Sequence, residues 1–191
     1  MRSKRIAIFL QRAVILRMGN KKKSSGAVFF DRDGTLNVDK DYLYKIEDFE
    51  WLEDAPQAIR LANEHGFLVI VITNQSGIAR GYFLEDDVRR LHDWMNEELA
   101  RFGAHIDAFY YCPHLPNGSV AAYAKECDCR KPKPGLIERA CIDFDVDCGE
   151  SLMIGDKLRD VECAEAAGVR GVLYRGGSLL ELLKKETGDQ E

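Results

Sequence analysis

Short apolar segments alternate with helical segments from residue 26 onward, and this alternation restricts the fold more than any other feature of the chain. Continuous apolar runs predict strands at 27–30, 67–72, 106–111, 151–154 and 169–174. Apolar residues at helical spacing predict helices at 54–65, 88–102, 136–141, 158–167 and 178–185, the first with Asp54 as its N-cap. Runs without polar alternation are typical of strands that are buried on both faces. The sequence therefore predicts a Rossmann-like α/β fold of three layers, with helices on both sides of a central parallel sheet.

The charge of the chain is unevenly distributed, and this bounds its organisation. Residues 1–25 carry eight basic side chains and no acidic one, whereas the whole chain has 27 basic and 32 acidic residues. We interpret 1–25 as a disordered basic extension, with Met18 as an alternative start, and 26–191 as one domain. The acidic body repels a phosphate backbone, which excludes nucleic acid as the main partner.

The N-terminal segment also bears on location. Its apolar residues resemble part of a secretory signal, but Gln11 and Arg12 interrupt them and no small-residue cleavage site follows. An Arg-rich segment without acids also fits an organelle transit peptide, which stays open beside the disordered extension. No apolar run is long enough to span a bilayer. We therefore predict a cytoplasmic protein without a membrane partner.

Two acidic residues follow the first predicted strand, in the segment Asp31-Arg32-Asp33-Gly34-Thr35. In open parallel sheets, ligands bind at the edge where the carboxyl ends of the strands lie. One carboxylate there suits attack on an electrophile, and the other suits proton transfer. An Asp-x-Asp-Gly turn also resembles half a calcium loop, but the remaining oxygen ligands of an EF-hand do not follow.

Polar residues follow two further strands, so that three strand ends are expected to meet at one edge of the sheet. Thr73 and the backbone N–H groups of 73–77 suit phosphoryl oxygens, although that segment taken alone is better explained as an ordinary polar turn. Asp156 follows the fourth strand, and it would repel Asp31 unless a cation lay between them. Because hard oxygen ligands favour Mg²⁺, the sequence predicts a magnesium site at this edge.

Basic residues stand just before the helix predicted at 136–141, at positions Arg130, Lys131 and Lys133. The body of the chain is acidic, so a compact cluster of cations is better explained by an anionic substrate than by a solvated face. The expected partner is therefore a small anionic molecule.

Four potential soft metal ligands lie close together in sequence: Cys112, His114, Cys127 and Cys129. Three thiolates and one imidazole complete a tetrahedral shell, which is the closed kind of site that holds structural Zn²⁺. They bound a long loop of low apolar content, and a metal ion would order such a loop. Disulfide bonds are the alternative, but they are unfavourable in a chain without a secretory signal.

The other thiols and imidazoles show no ligand spacing. We interpret three cysteines as helix or loop residues without chemistry: Cys141, Cys148 and Cys163. We expect structural or surface roles for three isolated histidines: His65, His92 and His105.

The motifs Asp-x-Asp-Gly-Thr, Thr-Asn, Arg-Lys and Gly-Asp occur in this order along the chain. The order closely resembles the phosphotransferases of the haloacid dehalogenase (HAD) superfamily, over most of the chain. Longer segments at 30–37, 73–81, 111–114, 127–132 and 155–158 resemble the D-glycero-D-manno-heptose-1,7-bisphosphate 7-phosphatase family. Histidinol-phosphate phosphatases are related and share the zinc loop, but the segment 75–81 resembles the heptose family more.

The resemblance implies catalytic roles for four residues. Asp31 would attack phosphorus and form an aspartyl-phosphate, and Asp33 would protonate the leaving group and then activate water. Thr73 and Lys131 would steady the phosphoryl oxygens. Mg²⁺ would be held by Asp31, Asp156 and the carbonyl group of Asp33.

The resemblance also implies a set of substrate-binding residues: Arg32, Asp39, Lys40, Asp41, Tyr42, Asn74, Gln75, Ser76, Arg130 and Lys157. Arg130 would recognise the second phosphate or the sugar, and Asp160 would orient the site without contacting substrate. The implied architecture has a minimal cap, with the zinc loop at 112–129 shaping the pocket entrance.

The function that the resemblance implies is a Mg²⁺-dependent sugar bisphosphate phosphatase in ADP- or GDP-heptose biosynthesis. A phosphatase for histidinol phosphate or another small phosphomonoester is one alternative, and a non-enzymatic zinc module is another. The lack of any heptad pattern or exposed apolar stripe favours a monomer.

Overall fold

A five-stranded parallel sheet forms the centre of the computed structural model, which describes residues 26–189. The strands are β1 Ala27–Phe30, β2 Leu68–Asn74, β3 Ala108–Cys112, β4 Leu152–Gly155 and β5 Arg170–Leu173. Their spatial order is β3-β2-β1-β4-β5, and every neighbouring pair is parallel. The five predicted strands are confirmed, with ends shifted by one or two residues. The predicted extension at 1–25 lies outside the described residues.

Helices connect the strands. They are α1 Ala55–Glu64, α2 Gly77–Arg80, α3 Glu85–Ala100, α4 Gly135–Phe144, α5 Leu158–Ala166 and α6 Leu179–Thr187. Short 3₁₀ turns lie at Ile46–Asp48 and Cys148–Glu150. The five longer helices were predicted, but α2 was not, because its four residues are too few to show helical periodicity.

Alternate residues of the central strand face different cores. Val28 and Phe30 belong to one apolar cluster with residues of α1, α3 and α6. Ala27 and Phe29 belong to a second cluster with residues of α4 and α5. Successive side chains of a strand point to opposite faces, so β1 is buried on both sides. The predicted three-layer α/β architecture is confirmed.

The sheet order places the ends of β1, β2 and β4 side by side. Phe30 lies opposite Val71 of β2 and Ile154 of β4, and the N–H of Asp31 donates to the carbonyl oxygen of Ile154 at 3.0 Å. Between β1 and α1 the chain contains only the short 3₁₀ turn, so it builds no separately folded cap there. Among the helices of residues 26–189, none has both the length and the apolar character that crossing a bilayer requires.

Asp54 stabilises a different helix from the one that the sequence indicated. It occupies the N-cap position of α1, but its carboxylate makes no capping bond there. It accepts hydrogen bonds instead from the N–H groups of Leu179 (3.0 Å) and Leu180 (3.3 Å) and from the hydroxyl of Ser178. The predicted N-cap position of Asp54 is confirmed, but its carboxylate satisfies the free N–H groups of α6 rather than those of α1.

We expect Asp54→Ala to lower the free energy of unfolding by about 1 kcal/mol, because two N–H groups of α6 lose their acceptor. Urea denaturation measures the change. Glu53→Ala is the matched control, since Glu53 is exposed in the same turn. Equal stability of the two variants would contradict the capping role.

Candidate active site

Asp31 shares a buried ion pair with Lys131, and both side chains are almost inaccessible to solvent. The Lys131 Nζ lies 2.8 Å from the Oδ1 of Asp31 and 2.8 Å from the Oδ1 of Asp160. It also donates to the carbonyl oxygen of Ile72 at 2.7 Å. One ammonium group therefore binds the end of β1, the end of β2 and the start of α5 together.

The charges of this group support one another. Burial alone would lower the pKa of Lys131, but Asp31 and Asp160 outweigh it and raise that pKa above its usual value. Burial raises the pKa of Asp31 to about 6, while Lys131 opposes the rise. A further cation beside Asp31 would favour the ionised carboxylate that a nucleophile needs.

Asp33 is oriented by three donors and keeps one side open to solvent. Its carboxylate accepts bonds from the Arg32 guanidinium at 3.0–3.1 Å, from the Asn37 amide at 3.1 Å and from the Gln75 amide at 2.9 Å. The side chain is 22 % exposed, whereas that of Arg32 is fully buried. A group with fixed orientation and an open side suits proton transfer to a bound ligand.

Arg32 lies behind Asp33, away from the open side of the site. Besides Asp33, its guanidinium donates to the carbonyl oxygen of Leu43 at 2.8 Å and lies 3.4 Å from the Nε2 of His92. We had predicted Arg32 as a substrate-binding residue, but its buried side chain has no surface for such a contact. It positions Asp33 instead.

The end of β2 fixes the segment that carries Lys131. The Asn74 side chain accepts from the Lys131 N–H at 3.1 Å and donates to the Lys131 carbonyl oxygen at 3.2 Å. The Gln75 amide bridges Asp33 and the Oγ1 of Thr73, at 2.9 and 3.0 Å. The substrate contacts expected of Asn74 and Gln75 stay a prediction; in the structure these two side chains hold Lys131 and Asp33 in place. Ser76 follows at the start of α2 and is partly exposed.

The carboxylates of Asp31 and Asp156 come together, as the sequence predicted. Oxygen atoms of Asp31, Asp156 and Asp160 lie within 4.8 Å of one another. The Oδ1 of Asp156 is buried without a hydrogen-bond partner. Gly34 packs against this residue so closely that a Cβ at position 34 would meet the Oδ2 of Asp156 at 2.5 Å. A set of hard oxygen donors with one buried atom unpaired fits Mg²⁺.

Asp160 has a different task from the other two acids. Its Oδ1 faces the ammonium of Lys131, and its Oδ2 accepts the N–H of Lys157 at 3.0 Å. Both oxygens are therefore occupied by protein groups. Asp31 and Asp156 are the side chains that would hold Mg²⁺, and Asp160 orients Lys131, in line with the orienting role expected of it.

The predicted substrate-binding loop lies on the surface beyond Asn37. Asp41 and Tyr42 have φ values of 49° and 55°, a left-handed conformation that non-glycine residues seldom adopt. The rings of Tyr42 and Tyr82 meet edge to face, with their centres 4.9 Å apart. The Arg80 guanidinium lies 5.6 Å from the centre of the Tyr42 ring. Such strained backbone persists where the surrounding contacts hold it.

The remaining predicted substrate-binding residues lie in three places. Asp39 and Lys40 are exposed in the same loop, where Lys40 forms a surface ion pair with Glu50 at 3.0 Å. Lys157 reaches the carboxylate of Asp156 at 2.5 Å. Arg130 donates to the carbonyl oxygen of His114 at 3.3 Å, which places it beside the loop 112–129 that carries the predicted zinc ligands, called the cysteine loop below.

The predicted zinc ligands form a compact cluster. The three sulfur atoms of Cys112, Cys127 and Cys129 lie 3.2–3.5 Å apart, and the Nδ1 of His114 is 3.3 Å from the Sγ of Cys129. Burial and the neighbouring thiols raise the pKa of Cys112. A cation is therefore needed to hold these groups as thiolates, and the Cys₃His donor set fits structural Zn²⁺.

Glu85 anchors the cysteine loop to α3. Its carboxylate accepts hydrogen bonds from the hydroxyl groups of Tyr111 and Tyr123, each at 2.6 Å. The loop also packs on α2, where the N–H of Val120 donates to the carbonyl oxygen of Ala79 at 2.9 Å. Sequence reasoning missed Glu85, since nothing in its neighbourhood indicates partners 26 and 38 residues away.

Loss of one thiol ligand tests the zinc assignment. We expect Cys129→Ser to bind less than one zinc per chain, to lower the melting temperature by about 10 °C and to expose the loop to proteases. Metal analysis, calorimetry and limited proteolysis measure these effects. Cys163→Ser is the control, since Cys163 lies in the core outside the cluster. A Cys129→Ser protein with full zinc content and unchanged melting would refute the site.

His92 predicts an acid-dependent loss of stability. Burial and the charge of Arg32 lower its pKa well below 6.5, so the folded protein keeps this imidazole neutral. The unfolded chain binds the proton more readily, and stability falls as the pH drops below about 6.5. Between pH 7.5 and 5.5 we expect His92→Gln to lose about 1.4 kcal/mol less stability than the unmodified protein.

Urea denaturation at the two pH values measures this difference. His105→Gln is the control for the loss of an imidazole, because the His105 side chain is 60 % exposed whereas His92 is buried. The same loss of stability in His92→Gln and in the unmodified protein would contradict the role of His92.

Comparison with known proteins supports the geometry. A family model described as HAD-hydrolase-like matches residues 128–188. The chain is 46 % identical over 156 residues to the D-glycero-beta-D-manno-heptose-1,7-bisphosphate 7-phosphatase of Haemophilus ducreyi, covering 81 % of this chain and 85 % of the relative. It is also 46 % identical to the enzyme of that name from Escherichia coli K12, covering 81 % and 82 %.

Solved structures agree. A HAD-like phosphatase of Mesorhizobium loti superposes with a TM-score of 0.78 at 33 % identity, covering 91 % of this chain and 88 % of that one. The D,D-heptose 1,7-bisphosphate phosphatase of B. bronchiseptica, in complex with magnesium and phosphate, superposes with a TM-score of 0.69 at 36 % identity, covering 78 % and 79 %. The chain belongs to the D-glycero-beta-D-manno-heptose-1,7-bisphosphate 7-phosphatase family of HAD-like hydrolases.

Proposed function

We propose that the protein is a Mg²⁺-dependent phosphatase that removes the 7-phosphate of D-glycero-D-manno-heptose 1,7-bisphosphate. The observation that carries this proposal is the buried Asp31–Lys131 pair facing Asp156, with the oriented carboxylate of Asp33 beside it. The identity of nearly half the aligned residues to heptose bisphosphate phosphatases supports the choice of substrate.

Asp31 is the nucleophile in this proposal. One of its oxygens attacks the 7-phosphorus, the bond to the sugar oxygen breaks, and Asp33 gives its proton to that oxygen. Asp33 then accepts a proton from water, whose oxygen attacks the aspartyl-phosphate and releases inorganic phosphate. Mg²⁺, when bound at Asp31 and Asp156, supplies positive charge beside the phosphoryl oxygens.

Thr73 and Lys131 would steady the transferred phosphoryl group, Lys131 through the Asp31 carboxylate that its buried ammonium group pairs with. Lys131 is held rigidly by Asp31, Asp160 and the carbonyl oxygen of Ile72, so its charge needs no rearrangement during the reaction. The Thr73 hydroxyl is oriented by the Gln75 amide. Fixed donors of this kind stabilise developing charge better than mobile ones.

Charged residues around the opening favour a substrate with a second anionic group. Arg130 bonds to the carbonyl oxygen of His114 in the cysteine loop, and Lys157 pairs with Asp156. A cleft of about 1120 Å³ adjoins Gly34 and Asp156 and is also lined by Arg175. We assign Arg130 to the second phosphate or the sugar, and Lys157 to the bound substrate, together with Asp39–Tyr42 and Ser76. A place in ADP- or GDP-heptose biosynthesis belongs to the same proposal.

Location and assembly complete the proposal. A cluster of zinc-bound thiolates favours a reducing compartment such as the cytoplasm. A monomer and a single domain over 26–191 remain predictions.

The substitution Asp31→Asn tests the chemistry. We expect it to lower kcat for the heptose bisphosphate by about 10⁴-fold or more, since the amide is not a nucleophile for phosphorus. Circular dichroism and zinc content should stay those of the unmodified protein. Asp128→Asn is the matched control, because the Asp128 side chain is 97 % exposed whereas Asp31 is buried.

A substrate panel tests the specificity. We expect the protein to release phosphate from carbon 7 of the bisphosphate with a far higher kcat/KM than from histidinol phosphate. Phosphorus NMR identifies which phosphate is released. Faster hydrolysis of histidinol phosphate would transfer the assignment to that substrate.

For the Asp31→Asn variant, appreciable turnover would contradict the covalent route.

A further inference from the structure

Two cysteines outside the zinc cluster lie unusually close together. The Sγ atoms of Cys141 and Cys148 are 2.7 Å apart, nearer to each other than any pair of sulfurs in the zinc cluster, where the separations are 3.2–3.5 Å. A disulfide bond is about 2.05 Å long, so only a small approach separates the two thiols from bonding. The interpretation of both residues as thiols without chemistry therefore needs revision.

The backbone around Cys141 fixes the position of the first sulfur. Asp145 ends α4 in a left-handed conformation, and the Cys141 carbonyl oxygen accepts the N–H groups of Asp145 and Val146. The same end of the helix is tied to β3, since the Tyr110 hydroxyl donates to the carboxylate of Asp143 at 2.8 Å.

A second set of bonds fixes Cys148. The Asp147 side chain accepts the N–H of Gly149 at 3.0 Å and begins the 3₁₀ turn that contains Cys148. The Ser151 hydroxyl donates to the Asp147 carbonyl oxygen and accepts the N–H of Ala27, the first residue of β1, at 2.9 Å. Each sulfur is thus positioned by its own anchors, and little conformational entropy remains to be lost when they join.

The pair does not fit a metal site. In the part of the chain that the structure describes, no third histidine, cysteine or carboxylate joins these two within 4.8 Å, whereas the zinc cluster has four such groups. Two thiols alone do not complete a tetrahedral shell. Two adjacent thiols without further ligands favour sulfur–sulfur bonding.

We propose that Cys141 and Cys148 form a redox-active thiol pair, which hydrogen peroxide or a similar small peroxide converts to an intramolecular disulfide. The pair is independent of the proposed phosphatase activity and of the zinc cluster. Both residues are partly exposed, so a small oxidant reaches them.

The reaction proceeds in two steps with balanced atoms. The Cys148 thiolate attacks one oxygen of the peroxide and becomes a sulfenic acid, while the other oxygen leaves as hydroxide and takes a proton to form water. The Cys141 sulfur then attacks the Cys148 sulfur, and its proton leaves with the sulfenic hydroxyl as a second water. The sulfurs lose two electrons and the peroxide gains them.

Mass spectrometry of the zinc-loaded protein tests the proposal. The protein is treated with a few equivalents of hydrogen peroxide, its remaining thiols are alkylated with iodoacetamide, and it is digested with trypsin without reductant. Cleavage after Arg139 and Lys157 gives the peptide 140–157, which contains Cys141 and Cys148 and no other cysteine. We expect this peptide to lose the mass of two hydrogen atoms and to carry no alkyl group, while zinc stays bound.

Two variants control the experiment. In Cys148→Ser the Cys141 thiol should remain free and be alkylated. In Cys163→Ser the bond should still form, because Cys163 lies on α5 and its thiol donates to the carbonyl oxygen of Lys133. Peroxide-treated protein in which both Cys141 and Cys148 are alkylated would overturn the proposal. So would a sulfinic acid at one sulfur beside an alkylated partner, or a bond from either residue to a zinc ligand. These outcomes do not require a folded variant and do not depend on phosphatase activity.

Discussion

The structure depends most on the ammonium group of Lys131, which lies without solvent exposure between the carboxylates of Asp31 and Asp160. Loss of one partner from such a buried group leaves an uncompensated charge, at a cost of about 3–5 kcal/mol. The same contacts join β1, β2 and α5 around Asp31. The stability of the fold and the geometry of the proposed active site therefore depend on one cation.

A second buried cation supports the second acid. Arg32 pairs with Asp33 as Lys131 pairs with Asp31. The His92 imidazole lies beside the Arg32 guanidinium and stays neutral there. Its ring stacks on Phe109, with the two ring centres 4.3 Å apart. Asp31 and Asp33 are thus each paired with a buried cation, Lys131 and Arg32. The two differ in exposure, since Asp31 is almost buried and Asp33 keeps an open side. That difference fits the proposed roles, attack on phosphorus for Asp31 and proton transfer for Asp33.

The features that were predictable have local causes. A strand that is buried on both faces leaves an unbroken apolar run, and a carboxylate at its end lies at the ligand-binding edge of a parallel sheet. The strands and the meeting of Asp31 with Asp156 were predicted from these rules. The zinc ligands were predicted from the types and spacing of four residues. Arg32 shows the limit of prediction from local sequence. Its place in the motif suggested a substrate contact, but in the structure its side chain is buried beside Leu43 and His92.

Residue types and their spacing were enough to predict the parallel α/β arrangement, the acidic metal site and the cysteine loop. Each of these depends on residues within a short segment, where the period of the apolar residues and the spacing of the ligands can be read directly. Only the folded chain showed that Asp54 caps a helix 125 residues away, that Glu85 holds the cysteine loop and that Cys141 meets Cys148. These contacts arise where separate elements pack or turns close, and spacing along the chain carries no record of which side chains then face each other.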